Sequence, residues 1–83
     1  MTVTKNMRWK HSVAGTIRRC CKEGITGTEI VKQKPPSFQE ATDITEKIGI
    51  VGLTLEDYSS YGSSCVMDFF YEGAHFVVIA EEP

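Results

Sequence analysis

The chain has 83 residues, 41% hydrophobic and 24% charged, a balance that fits one globular domain over residues 1–83 and excludes a disordered or low-complexity protein. Its three cysteines, two of them adjacent at Cys20 and Cys21, exclude a disulfide framework, and with no CxxC spacing they offer no metal register. No apolar run approaches the length of a membrane span, so the expected setting is cytoplasmic, with no membrane contact.

The formal net charge of -2 conceals an asymmetry. Residues 1–34 carry eight basic side chains against two acidic ones, and residues 35–83 carry one lysine against nine acids. Such a split predicts either a charged partner or two halves that neutralise one another on packing.

In chain order, residues 2–10 place Val3, Met7 and Trp9 on one side of an alternating pattern and predict a half-buried strand. Ser12 then offers a helix N-cap. Val13, Ala14, Ile17, Cys20 and Cys21 recur at helical spacing until Gly24, which predicts a helix over 12–23. Its opposite side gathers Arg18, Arg19 and Lys22, with Gly15 between them, as a basic stripe able to hold phosphates. Residues 25–34 fit two forms. Thr26 and Glu29 have capping-box spacing, whereas the alternation of Thr and Ile suits an edge strand. A helix here would give three helices before a hairpin, the element order of winged-helix DNA-binding domains.

Pro35 and Pro36 end that segment. Ser37 and Glu40 form a capping box, and Phe38, Ala41, Ile44, Thr45 and Ile48 mark the buried face of a helix over 37–48, closed by Gly49. Glu40, Asp43 and Glu46 crowd its outer face. Residues 49–55 predict a strand with Val51, Leu53 and Leu55 on one side, and 56–64 a polar loop of Tyr, Ser and Gly suited to recognition through Tyr58 and Tyr61.

Residues 64–71 and 74–81 predict a C-terminal β-hairpin turning at Glu72 and Gly73. A two-residue turn pairs Tyr71 with Ala74, Phe69 with Phe76, Met67 with Val78 and Cys65 with Ala80 on one apolar face. A two-stranded ribbon is marginal in water, so that face needs a cover. The predicted fold class is therefore α+β: a small antiparallel sheet of three to four strands, with two helices packed on one face and a C-terminal hairpin.

For chemistry, Asp68 and His75 lie diagonally across the mixed face of the hairpin, while Cys65 belongs to the opposite face, so no nucleophile joins them. The chain has no phosphate-loop, dinucleotide or zinc-protease motif. The expectation is no enzyme, no catalytic or metal-binding residue and no cofactor. The favoured function is a small protein-interaction module (a regulator, adaptor or inhibitor) presenting Glu40, Asp43, Glu46, Tyr58 and Tyr61 to a protein partner, including a basic or nucleic-acid-processing one. The alternative is a winged-helix-like nucleic-acid-binding transcriptional regulator using Arg18, Arg19 and Lys22. An acidic reading helix would be repelled by phosphates, which weakens that alternative.

Overall fold

The computed structural model describes residues 12–83. The predicted strand over residues 2–10 lies outside them. The described elements run α1 (Val13–Glu23), β1 (Thr28–Lys32), α2 (Phe38–Ile48), β2 (Thr54–Tyr61), β3 (Ser64–Tyr71) and β4 (Ala74–Glu81). The fold is α+β, with two helices and one four-stranded mixed sheet in the order β1-β4-β3-β2.

Both helices start and stop where local chemistry dictates. The Ser12 hydroxyl accepts from the backbone N–H of Gly15 (2.9 Å), and the Ser37 hydroxyl from that of Glu40 (3.2 Å). Each helix then closes on a left-handed glycine, Gly24 or Gly49.

The hairpin β3–β4 has the predicted register, from Tyr71 opposite Ala74 to Cys65 opposite Ala80. Alternation buries Cys65, Met67 and Phe69 on β3 with Phe76, Val78 and Ala80 on β4. The rings of Phe69 and Phe76 stack at 5.2 Å. Val13, Ile17 and Cys20 of α1 and Ala41 of α2 cover this face, so the core is one helical layer on one sheet layer.

The choice left open at residues 25–34 is settled: residues 28–32 form a strand, so the described residues hold no third helix of a winged-helix order. Four expectations change. The sheet is mixed rather than antiparallel, because β1 runs parallel to β4, with Val31 beside Ala80. Five residues carrying β-branched Thr28, Ile30 and Val31 bury one side chain, Val31, which suffices for a strand but leaves no helical face. The strand placed at 49–55 starts at Thr54. Ahead of it the chain turns, the Leu53 N–H bonding the Ile50 carbonyl (3.3 Å), and Val51 stands 93% exposed. Residues 54–61, of which 56–61 were expected as loop, are β2, joined to β3 by a tight turn at Gly62 and Ser63. Finally, Gly15 is buried rather than lying among the basic side chains.

The second sheet face bears Ile30, Val66, Phe70, Val77 and Ile79. Neither helix packs there. Of the ion pairs among the described residues, Lys32–Glu81 (2.9 Å) links the basic and acidic halves of the chain. No helix among the described residues is long and apolar enough to cross a membrane.

Candidate interaction site along α2 and β2

The site begins with the α2 cap. The Glu40 carboxylate accepts from the Ser37 N–H (2.8 Å) while the Ser37 hydroxyl holds the Glu40 N–H, which fixes the first turn of the helix. That turn lies beside β2, the end strand of the described sheet. Phe38 remains 60% exposed there, leaning edge-on against Tyr58 of β2 with ring centroids 5.7 Å apart. Its expected place on the buried face of α2 is corrected accordingly, while Ala41 is buried and Ile44 and Ile48 are half-buried. The Tyr58 phenol, half-buried, donates to the Pro36 carbonyl across 2.7 Å. Burial raises its pKa above the ordinary tyrosine value.

Two open clefts flank Phe38. One, about 400 Å³, is bounded by Pro36, Tyr58, Ser60, Gly62 and Glu82. The other, about 320 Å³, lies among Thr42, Thr45, Glu46, Leu53 and Leu55. Phe38 lines both. Together they make a seam along α2 and β2.

The expected contact residues distribute unevenly over this seam. Glu40 and Glu46 line the clefts, and Asp43, one turn along the same helix, accepts from the Gln39 amide (3.1 Å) and opens onto the far side of the Pro35 and Pro36 linker. Tyr58 lines the seam. Tyr61, 64% exposed, stands three residues further along β2 and so projects from the opposite sheet face. Residues 38–61 carry five carboxylates (Glu40, Asp43, Glu46, Glu56, Asp57) and one lysine, Lys47. Protein-family models, curated proteins and solved structures offer no match to this chain.

The basic stripe on α1 is not a set of three free cations. The Arg19 guanidinium bonds Glu29 on β1 and lies 3.9 Å from Glu23, while Arg18 and Lys22 are exposed. On the open face, His75 Nδ1 lies 3.3 Å from Asp68 Oδ1 and its ring packs on Phe70, centroids 4.9 Å apart. Cys65, fully buried, faces the other way. Burial pushes the Cys20 thiol up to about 11 and raises Cys65 also, so both are protonated at neutral pH. Among the described residues no group of three or more His, Cys, Asp or Glu side chains is arranged to hold a metal ion.

Sequence reasoning missed Phe38, Leu53 and Leu55 as cleft-lining residues. The only local sign of β2 was its turn: Gly62 and Ser63 are a pair suited to a two-residue hairpin, but residues 54–61 do not alternate apolar and polar side chains.

Proposed function

We propose that this protein is a non-catalytic protein-interaction module, acting as a regulator, adaptor or inhibitor, whose α2–β2 seam meets a basic protein partner. The observation that carries this reading is the juxtaposition of exposed Phe38 and half-buried Tyr58 with the carboxylates of Glu40 and Glu46. An aromatic anchor flanked mainly by carboxylates is one way interfaces combine affinity with selective approach.

Nucleic-acid binding has less support. Arg19 is committed to Glu29, and α2 would present carboxylates to phosphates.

The reading is tested by coupling the full chain to a matrix and comparing the proteins it retains with those retained by an Asp43→Lys, Glu46→Lys double variant. Retention of a basic protein that the variant fails to hold is the expected result. Equal retention by both proteins contradicts it. Nucleic acid held in a steeply salt-dependent manner, and released by Arg18→Gln with Lys22→Gln, would transfer the function to α1.

A further inference from the structure

The exposed edge of β2 makes the seam more specific than a charged patch. β2 ends the sheet, so its outer side has no neighbouring strand among those described. Tyr61 and Ser64 flank the two-residue turn and are directly paired, so hydrogen-bonded pairs fall at Tyr61, Ser59 and Asp57, and the main-chain groups of Ser60 and Tyr58 point outward. One bond corroborates this alternation: the Tyr58 N–H is held by the Asp57 carboxylate (3.0 Å) rather than by β3. The outward N–H and C=O of Ser60 and the C=O of Tyr58 are bonded by no described residue.

We propose that the seam accepts an extended, basic segment of the partner, which pairs with β2 at Ser60 and sets two apolar side chains on either side of Phe38. This rests on the protein-binding reading above and names the partner's chemistry.

Three features converge on that occupant. The outward groups of Ser60 offer one antiparallel pair, and Asp57, by occupying the Tyr58 N–H, ends the ladder there, so the added strand is short and its register is set. Phe38 splits the seam into clefts of about 400 and 320 Å³, each roomy enough for an aliphatic or aromatic side chain. Tyr58 and Leu55 line the two clefts from the same face of β2, on either side of a bulge between Leu55 and Asp57. Same-face residues of an extended chain lie roughly 6.8 Å apart, so the two anchors belong at positions separated by one residue. Charge completes the match. Glu40 and Glu82 rim the first cleft, where Lys34 is the lining cation, and Glu46 rims the second. An acidic or neutral segment would forgo that attraction, and a helix would leave the Ser60 edge unpaired.

The test is selection of random nonapeptides on the immobilised full chain, followed by affinity measurement of the enriched peptides. The expected motif has two apolar residues separated by one position and flanked by Lys or Arg. Phe38→Ala should weaken binding by about tenfold or more, as truncation of a central anchor does. Because Phe38 is 60% exposed, this variant should keep its thermal transition, which is checked in parallel. N-methylation of the peptide backbone, one residue at a time, should abolish binding at a single position and leave the protein itself unaltered. Acidic or patternless peptides, no enrichment at all, or affinity indifferent to both Phe38→Ala and N-methylation would overturn the proposal. Peptides that bind through Asp43 and Glu46 while ignoring Phe38 would refute strand addition yet leave the protein-binding reading standing. Failure to retain any protein in the matrix experiment would remove that broader reading itself.

Discussion

Tyr58 and Pro36 are joined by a 2.7 Å hydrogen bond in which the phenol donates to the proline carbonyl, tying the middle of β2 to the residue just ahead of the α2 cap. The contact sets the depth of the cleft beside Phe38, because strand and linker are held together there. It also gives a half-buried carbonyl a partner, without which desolvation would go uncompensated.

Tyr58→Phe keeps the ring against Phe38 and removes only the hydroxyl. A net loss of about 1 kcal/mol in unfolding free energy is expected from urea titration. Weakened peptide binding with little loss of stability would instead mean that the bond shapes the cleft more than it supports the fold.

Glu40 serves two roles, as a cap and as a surface charge, and they can be separated. Ser37→Ala removes the hydroxyl acceptor while leaving every carboxylate in place, and should cost about 1 kcal/mol of stability with no change in the salt dependence of partner binding. Glu40→Gln keeps an acceptor for the Ser37 N–H and removes the charge. It should leave the thermal midpoint nearly unchanged and flatten the salt dependence.

The β3–β4 turn contains an avoidable strain. Glu72 adopts φ 51° and Gly73 φ 81°, the pair of positive angles of a type I′ turn. Glycine adopts this freely, whereas a glutamate pays the Cβ penalty that asparagine largely escapes. Glu72→Asn should therefore raise stability by roughly 0.5–1 kcal/mol, read from the denaturation midpoint. A lower midpoint would mean that Glu72 makes a compensating contact.

Alkaline pH should destabilise the fold. Burial raises the pKa of Cys20 to about 11 from its ordinary 9.0, and raises Cys21, Cys65, Tyr58 and Tyr71 as well. A raised folded-state pKa means that stability is fully present below the unfolded value and is lost as pH rises through the folded one. Thermal midpoints taken from about pH 8 to about pH 11 should fall, and Cys20→Ala should fall less steeply while starting lower because of the cavity it leaves. Parallel curves for the two proteins would show that Cys20 is not a contributor.

The hairpin was legible because β-branched and aromatic residues dominate both arms, and because Gly73 marks the turn; the register from Tyr71 to Ala80 followed from those two facts. The capping box of Ser37 and Glu40 likewise located α2. β2 was not legible, since an end strand carries the charges that deter unwanted pairing, and Glu56, Asp57, Ser59 and Ser60 read as loop for that reason. The parallel pairing of β1 with β4 depends on a partner distant in sequence and leaves no local signal. Phe38 lies on the apolar stripe of α2, but a helical wheel does not report how much of that stripe the rest of the fold covers. The carboxylates on the outer side of α2 were visible from the sequence; the clefts beside Phe38 were not.

The most direct test of the docking seam is an amide chemical-shift titration of the isotope-labelled full chain with the tightest nonapeptide from the selection. The predicted result is a continuous set of shifts along Pro36's neighbours, the first two turns of α2 and β2 from Leu53's end to Ser60, with Ser60 showing the downfield move of a newly donated N–H. Shifts confined to Arg18 and Lys22 on α1, or to Val66, Val77 and Ile79 on the open face, would contradict it.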